Sequence, residues 1–430
     1  MDSNVRDEFY EPVEAVNKTA IGAHVQTYYP TTSNIDNAGK IAGSITFELN
    51  TGVGEYLDLF KTHLRLQYTM TGVGVASMGD CPLSNIIARG QLYINGKKVA
   101  SSQNWTQDAI LSKRITFSRA YNASVNGLTY NNTTAPVLST QAAVVAGNNV
   151  PAHTHTFTGP VFNSFITATA AGSYTDTEFL DALFIRDESC IIPPNSNVRL
   201  LLDIDAGYLL KMALLEVADP PVGALTVKSI QMVAYTVIKG GSIPEEYVMN
   251  LVTLNSFLSS VGDSTSANKQ YQVSSTIVKA AVTFLGTDYA TANNAKVHAG
   301  NILSYTDDTT TNQLVALDFK LNNINVPNTR WDFQTYGFKG AYINYINESG
   351  GISDSAGKES FAEWQRYGMI HLANIVKAES DKSNSLQVNC QFTGMADAVA
   401  FLIVTSFEEN AIKFKYDPAS GALLDTQTLL

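Results

Sequence analysis

Two histidines two positions apart are the first arrangement in this sequence that could do chemistry. His153 and His155 would project from one face of a strand and could share a metal ion. The residues around them include no cysteine or carboxylate that would complete such a site. We therefore interpret both as residues of a polar loop. The remaining histidines, which are His24, His63, His298 and His371, are dispersed along the chain.

Closely spaced carboxylates are the next candidates, because such pairs can serve acid–base or calcium chemistry. Asp203 and Asp205 stand on either side of Ile204 at strand spacing. The alternation of Leu202 and Ile204 with these acids favours an ordinary solvent-facing strand. The Asp307-Asp308 pair lacks the spaced ligands of a calcium loop. We expect no metal or catalytic site at either place.

Cysteines and glycines give no stronger signal. Cys81, Cys190 and Cys390 are odd in number and far apart, so we interpret them as small buried hydrophobic residues rather than disulfide or metal partners. Gly52-Val53-Gly54 and Gly72-Val73-Gly74 lack the strand-to-helix context of a phosphate-binding loop. The sequence also has no hydrolase nucleophile elbow and no helical zinc motif. It therefore predicts a protein that is not an enzyme, with no catalytic residues, cofactor or metal.

The composition favours a folded protein with little charge. Among 430 residues, 28 are Lys or Arg and 39 are Asp or Glu, so the formal net charge is −11, while 45% are hydrophobic. A chain this apolar is not disordered, and an acidic chain is poorly suited to binding nucleic acid. The first residues do not resemble a signal peptide, and the apolar run 398–404 is too short to span a bilayer. We expect a soluble protein folded in a reducing compartment.

Alternating apolar and polar residues predict that most elements are strands. Asn95-Gly96 predicts a tight hairpin turn. Two short helices are expected, at 105–115 and at 358–367, the second with Phe361 and Trp364 on one face. The pattern favours two antiparallel β-sandwiches in tandem. The predicted strands are 45–49, 64–70, 91–99, 198–204 and 226–238 in the first half, and 273–284, 314–324, 341–346, 386–392 and 398–404 in the second.

Turn-forming residues divide the chain into domains. Gly240-Gly241 followed by Pro244 breaks the strand pattern, and we place the domain boundary there. The expected organisation is an extended N-terminal arm at 1–40, a first β domain at 41–239 with a long excursion at 122–160, a linker at 240–270, a second β domain at 271–415 and a C-terminal tail at 416–430.

Short motifs at the turns carry a family resemblance. They are Tyr56-Leu57-Asp58-Leu59 between the runs 45–49 and 62–66, Asn95-Gly96-Lys97 after 83–87, Pro193-Pro194-Asn195 before 198–200 and the closing run 226–238, then Glu408-Glu409-Asn410 within 401–412 and the helix around Trp364. With these motifs the sequence resembles the major capsid proteins of Polinton/Maverick elements, adintoviruses and related double-stranded DNA viruses. This is the double jelly-roll family that includes adenovirus hexon and virophage capsid proteins.

The resemblance implies both a fold and a function. The fold would be all-β, with two tandem eight-stranded antiparallel jelly rolls and a few short helices in the connecting loops. The function would be that of a major capsid protein in the virion. It would self-assemble as a homotrimeric, pseudo-hexagonal capsomer that tiles an icosahedral shell around a double-stranded DNA genome. Its partners would be further copies of itself, a penton or vertex protein and minor cement proteins. Sequence-specific nucleic-acid binding and a transmembrane segment are not expected.

A binding protein is the alternative function. The sequence has 20 Tyr, 19 Phe and 3 Trp residues, and exposed aromatic rings can hold glycans or a receptor. A tandem β-sandwich attachment protein would use Trp105, Trp331 or Trp364 in this way. A hydrolase on the same scaffold would need a carboxylate pair in a cleft, for which the sequence offers no candidate.

Overall fold

The protein is described here from a computed structural model. The described residues are 20–31, 43–71, 76–78, 82–126, 166–168, 172–187, 189–204, 213–214, 224–240, 243–261, 265–286, 314–326, 330–349, 357–361, 364, 370–375, 384–392, 399–417 and 419–429. Among them no helix has the length and apolarity needed to cross a bilayer.

Strands dominate both halves of the described chain, and the helices are short. In the first half the strands are β1 (Ala20–Tyr28), β2 (Ser44–Asn50), β3 (Glu55–Thr71), β4 (Ala76–Met78), β5 (Ile87–Ile94), β6 (Lys97–Ser102), β7 (Ile166–Ala168), β8 (Gly172–Phe179), β9 (Ile191–Ile192), β10 (Asn197–Ile204), β11 (Ala213–Leu214) and β12 (Ala224–Lys239). Its helices are α1 (Pro82–Ile86), α2 (Trp105–Thr116) and α3 (Arg119–Ser124).

The second half continues in the same manner. Its strands are β13 (Glu246–Ser260), β14 (Ser266–Val273), β15 (Ile277–Gly286), β16 (Leu314–Leu321), β17 (Ile324–Asn325), β18 (Trp331–Asp332), β19 (His371–Asn374), β20 (Asn384–Phe392), β21 (Val399–Tyr416) and β22 (Leu423–Leu429). Its helices are α4 (Phe333–Tyr336) and α5 (Lys339–Glu348).

Each half folds into a jelly roll with the same strand order. The main four-stranded sheets are β1-β12-β3-β8 and β2-β10-β5-β6 in the first half, and β13-β21-β15-β19 and β14-β20-β16-β17 in the second. Strands β9, β18 and β22 add to β3, β16 and β21, and β11-β4-β7 form a small separate sheet. In the first half β1 pairs with β12 and β2 pairs with β10. In the second half β13 pairs with β21 and β14 pairs with β20 in the same way. This antiparallel wrapping of two four-stranded sheets defines a jelly roll. The predicted fold class, two tandem jelly rolls with a few short helices, is confirmed.

The alternating pattern of the sequence sets which side of each strand is buried. Along β10 the exposed Asn197 and Arg199 alternate with the buried Val198 and Leu200. Strand side chains point to opposite faces in turn, so one face enters the core. The hairpin between β5 and β6 turns at Asn95 and Gly96, whose φ angles are 51° and 77°. Gly and Asn tolerate this left-handed conformation, as the sequence predicted.

The first strand of the first roll lies inside the segment predicted as an extended arm. Strand β1 pairs along its length with β12, from Ala20–Lys239 to Tyr28–Met232. That part of the expectation for residues 1–40 is wrong. Strand β1 is a sheet edge, and side chains such as Val25 remain exposed, so the apolar alternation that reveals half-buried strands is missing. Residues 1–19 lie outside the described part.

Two further segments differ from their predicted roles. The expected linker 240–270 contains β13 and the first part of β14, and β13 pairs with β21 over its whole length. The expected tail 416–430 contains β22, which pairs with the end of β21. Both strands pack across the junction between the rolls, where alternating exposure is partly lost because either face can be covered. The excursion 122–160 begins in α3, and its residues 127–160 lie outside the described part.

One predicted strand is a helix. Residues 341–346 were expected to be extended, but they lie in α5, where Ala341 and Tyr345 are buried. These two positions are four apart, which places them on one helical face. The short run is apolar at both strand and helix spacing, so periodicity alone does not distinguish the two. The predicted helix at 105–115 is confirmed as α2. Of the helix predicted at 358–367, only residues 358–361 and 364 are described.

Candidate functional site

Helix α2 lies at the junction between the two rolls and is buried on every side. Its residues from Trp105 to Ile115 are all buried. Trp105 and Ala109 belong to the hydrophobic core of the first roll. Ile110 and Leu111 belong to the core of the second roll, although the helix follows a strand of the first. Each buried aliphatic side chain contributes about 1.5–3 kcal/mol to stability, so α2 joins the two cores energetically.

Consecutive cations of α2 bind carboxylates from opposite rolls. Lys113 Nζ lies 2.6 Å from Glu178 Oε1 on β8 of the first roll. Arg114 donates through Nε and Nη2 to the two carboxylate oxygens of Glu359 in the second roll, at 2.8 and 2.6 Å. None of the four side chains is more than 3% exposed. Because buried charges require partners, each pair fixes the helix against one roll.

The end of α2 is held by side chains of the second roll. Lys358 Nζ donates to the backbone carbonyls of Arg114, Ile115 and Phe117, at 3.2, 2.7 and 3.0 Å. The Tyr345 hydroxyl also donates to the Arg114 carbonyl, at 3.2 Å. The last carbonyls of a helix have no partner within the helix, and a cation there also complements the helix dipole. The second roll therefore caps a helix that begins in the first.

A cluster of one carboxyl and three hydroxyl groups links the rolls near the start of α2. Asp108 is fully buried, and its Oδ2 accepts a hydrogen bond of 2.6 Å from Ser102 Oγ on β6. Its Oδ1 accepts a hydrogen bond from Ser256 Oγ on β13 of the second roll. Ser256 Oγ is in turn 2.9 Å from Thr405 Oγ1 on β21. Burial raises the pKa of Asp108 to about 7, since the two hydroxyl bonds offset only part of the lost hydration.

A second buried acidic group adjoins α1. Glu178 also accepts hydrogen bonds from the Ser84 backbone amide, at 2.7 Å, and from the Ser84 hydroxyl. Two residues before it on β8, Asp176 has its pKa raised to about 6, mainly by burial and then by the Glu178 charge. The nearby charge of Lys113 acts in the opposite direction. These groups anchor α1 and α2 to β8.

The backbone also crosses the junction. Ile185 N donates to Val252 O at 2.8 Å, and Phe184 forms an isolated bridge with Thr253 of β13. The segment after β8 thus pairs with the first strand of the second roll. Residues of β13 and β21 extend into the core of the first roll, among them Met249, Leu251, Ile412, Phe414 and Tyr416. The rolls share core residues as well as hydrogen bonds.

Strand β22 and the turn before it bind the turns of the first roll. Asn95 Nδ2 donates to Thr426 Oγ1 at 2.8 Å, and Lys97 Nζ donates to the Thr426 carbonyl. Asn195 Nδ2 donates to the Gly421 carbonyl at 2.9 Å. Asn95 and Asn195 both have positive φ angles. The turn motifs that carry the family resemblance therefore also hold the second roll in place.

The residues singled out for chemistry do not form a site within the described part of the chain. His153, His155, His298, Asp205, Asp307, Asp308 and Cys81 lie outside it. Asp203 lies on β10, accepts a hydrogen bond from Ser44 Oγ and is 3.8 Å from Arg89 Nε, as expected for a strand surface. Cys190 and Cys390 are buried and free, which confirms their interpretation as small hydrophobic residues. Among described residues, no group of three or more His, Cys, Asp or Glu could hold a metal ion.

His371 is a buried histidine that the sequence did not distinguish. Its ring lies among aromatic side chains, with centroids 5.7 Å from Trp364 and 5.9 Å from Trp331. Neither ring nitrogen has a hydrogen-bond partner among the described residues, and burial lowers the pKa of His371 to about 3. It is therefore a neutral core residue of the second roll.

The tryptophans expected to be exposed in an attachment protein are mainly core residues. Trp105 is 1% exposed and Trp364 is fully buried. Trp331 is partly buried and packs edge-to-face against Phe319, with ring centroids 5.8 Å apart. Two of the three rings therefore cannot reach a glycan, because the cores of the rolls cover them.

Sequence analysis missed the buried polar groups of the junction. Lys113, Arg114 and Asp108 fall within a correctly predicted helix, but a helix bearing charges normally exposes one face. One signal in the sequence could have indicated burial of these charges. In the segment 105–115 charged and apolar residues are intermixed, so the predicted helix has no separate polar face.

The three-dimensional structure resembles known proteins, whereas the sequence comparisons found no match. No protein-family model matches the chain, and no curated protein matches it. A chain of the Sputnik virophage, determined by cryo-EM, matches with a TM-score of 0.63 at 12% identity, over 96% of this chain and 89% of that chain. The mavirus major capsid protein matches with a TM-score of 0.53 at 12% identity, over 94% and 90% of the two chains. A chain of the PBCV-1 virus capsid gives 0.54 at 10% identity, over 95% and 97%.

This chain has the double jelly-roll fold. The matches extend over nearly all of it, so they include both rolls and the junction between them. The strand order within each half leads to the same fold without any comparison. At 10–12% identity the likeness concerns the fold alone.

Proposed function

We propose that this double jelly-roll protein is the major capsid protein of a double-stranded DNA virus or virus-like element. The observation that carries the proposal is the double jelly-roll fold, which matches the mavirus major capsid protein over nearly the whole chain. A fixed pair of rolls suits a building block, because lattice contacts require subunits of constant shape.

In this proposal the protein works by self-assembly and not by catalysis. Three copies form a capsomer with six rolls and a pseudo-hexagonal outline, and capsomers tile an icosahedral shell of the virion. A penton or vertex protein and minor cement proteins complete the particle. The absence of catalytic, cofactor and metal residues remains a prediction from the sequence.

We also propose the division of the chain into domains. The first roll extends to residue 239 and includes β1, so the N-terminal arm shortens to residues 1–19. The second roll begins with β13 at residue 246 and includes β22. The Gly240-to-Pro244 break predicted from the sequence then forms the short connection between the rolls.

The oligomeric state of the purified full-length chain tests the proposed function. Analytical ultracentrifugation should give a particle of three chains of 46.5 kDa each. Negative-stain images should contain hexagonal particles, or shells built from them. A protein that stays monomeric at micromolar concentration, and whose images contain no such particles, would contradict the capsid function. A glycan array with the same protein tests the alternative function as an attachment protein. That function requires glycan binding that is lost in the Trp331→Ala variant.

A further inference from the structure

The Asp108 cluster is unusual among the buried polar groups at the junction. Lys113 and Arg114 are each paired with a carboxylate, whereas Asp108 is bound by hydroxyl groups on both oxygens. One hydroxyl belongs to Ser102 of the first roll and the other to Ser256 of the second. A buried carboxylate without a cation is costly, while a protonated carboxyl is readily buried.

The hydroxyl groups can accommodate a proton on Asp108. A serine or threonine hydroxyl both donates and accepts hydrogen bonds. If Asp108 is protonated, it donates to Ser256 Oγ, and Ser256 then donates to Thr405 Oγ1, which lies 2.9 Å away. The carboxyl proton and the Ser256 hydroxyl proton then each have an acceptor. With Asp108 ionised, both serines donate to it, and the negative charge stays between the two cores.

We propose that Asp108 is a proton-dependent contact between the two jelly rolls, in which the protonated carboxyl stabilises the joined rolls and loss of the proton loosens the junction. This inference concerns the two-roll chain itself and does not depend on capsid assembly.

Charged groups on the surrounding elements have other partners or lie elsewhere on those elements. They are Lys113 and Arg114 on α2, Arg89 on β5, Lys97 and Lys98 on β6, Glu246 on β13, and Glu408, Glu409, Lys413 and Lys415 on β21. The shift in the Asp108 pKa arises from burial and the two serine hydroxyls, with no charged residue among its causes. The first turn of α2 favours a carboxylate, but this effect is small beside complete burial.

The sign of the pH dependence follows from linkage. An unfolded Asp loses its proton near pH 3.8, whereas burial raises the pKa of Asp108 in the folded protein to about 7. Between these values the folded state binds more protons than the unfolded state, so stability falls as pH rises. Above about pH 7 the loss is complete. The whole difference between the unfolded and the folded pKa of Asp108 corresponds to a change of about a thousandfold in the folding equilibrium.

The test compares the full-length protein with the Asp108→Asn variant, which has nearly the same shape and carries no titrating carboxyl. Urea unfolding is measured between about pH 5 and pH 8. The two proteins should be similar in stability at the acid end, and the variant should become progressively more stable than the wild type up to about pH 7. Because the range begins above the pKa of an unfolded Asp, the expected divergence within it is about a hundredfold in the folding equilibrium. A difference between the proteins that stays constant across this range would overturn the proposal.

Two further variants separate this effect from general changes in charge. Asp203→Asn makes the same chemical change on the exposed surface of β10 and should produce no divergence of this kind. Ser256→Ala removes a hydroxyl whose hydrogen bond lowers the pKa of Asp108, so this pKa should rise further in the variant. The difference in stability between Ser256→Ala and Ser256→Ala/Asp108→Asn should therefore keep growing to higher pH. An unchanged range would contradict a role for the cluster.

Hydrogen exchange locates the effect in the protein. Peptides that cover α2 and β13 should lose protection in the wild type relative to Asp108→Asn at about pH 8, after correction for intrinsic exchange, and should not do so at about pH 5. Peptides that cover β2 and β20 provide the comparison within the same molecule. Equal loss in all peptides would mean global destabilisation and would contradict loosening at the junction.

Discussion

Gly90 of β5 leaves the space that the Trp105 ring occupies. A Cβ atom built at this position would overlap ring atoms of Trp105 and would lie 3.1 Å from Leu202 Cδ2. Both neighbours are buried, so neither can move into solvent. Trp105, the first residue of α2, can therefore pack against β5 because Gly90 has no side chain.

Substitution of this glycine should destabilise the protein. We expect Gly90→Ala to lower the free energy of unfolding by about 1–3 kcal/mol, the usual cost of overpacking a core. Urea unfolding measures the change. Gly340→Ala is the matched control, because no atom lies within 4 Å of the added Cβ and the residue is helical. The control should be neutral or slightly stabilising.

The buried pair of Arg114 and Glu359 permits a sharper test. Glu359→Gln leaves the Arg114 charge buried without its counterion, and we expect a loss of about 3–5 kcal/mol. Arg114→Met combined with Glu359→Gln should recover much of that loss, because no unpaired charge then remains. A double-mutant cycle based on urea unfolding gives the coupling. The exposed pair Arg199–Glu48 serves as control and should couple by less than about 1 kcal/mol.

Turns of the first roll act as docking points as well as chain reversals. The Asn95 side chain accepts a hydrogen bond from Asn197 N at 2.7 Å and donates to Thr426 Oγ1 at 2.8 Å. Its backbone has a φ angle of 51°. One residue thus closes a hairpin, connects two strands of its own roll and holds β22 of the other roll.

Two substitutions separate these roles of Asn95. Asn95→Gly keeps the left-handed backbone and removes the side-chain bonds, so it should lower the free energy of unfolding by about 1–2 kcal/mol. Asn95→Ala adds the cost of placing a Cβ in that conformation, about 1–2 kcal/mol more. Equal stability of the two variants, measured by urea unfolding, would contradict the backbone contribution.

Elements could be predicted from sequence where burial leaves a regular pattern. Strand β10 alternates buried and exposed residues, and the β5–β6 turn has Asn-Gly, so both were predicted. Strand β1 was missed because pairing with β12 stabilises it while Val25 stays exposed. Helix α5 was misassigned because a short apolar run fits two periods. Local pattern does not reveal contacts that another part of the chain provides.

The two rolls form a single packing unit. Helix α2 and strands β13 and β21 each contribute to the core of the opposite roll. The tandem arrangement was predictable from the sequence, because both halves contain runs of alternating apolar and polar residues. The junction was not, since Lys113, Arg114 and Asp108 would be surface residues on an ordinary helix. Their partners Glu178, Glu359 and Ser256 are distant in sequence.

Shared cores should make unfolding cooperative across the whole chain. We expect one calorimetric transition at neutral pH, because neither roll keeps its core when the other opens. Leu111→Ala, a change in α2 that removes contacts from the second core, should shift that transition to lower temperature without splitting it. Two separate transitions in the wild type, measured by differential scanning calorimetry, would contradict this expectation.

The position of α2 in the chain has a consequence for protein synthesis. Ile110, Leu111 and Ile115 leave the ribosome well before Leu254, Phe319 and Leu402, which share their core. A nascent first roll lacks the core residues that β13 and β21 supply, and the apolar side chains of α2 stay uncovered until translation of the second half is nearly finished. Chaperones that recognise uncovered apolar side chains should bind the half-made chain and release it when the second roll closes over the helix.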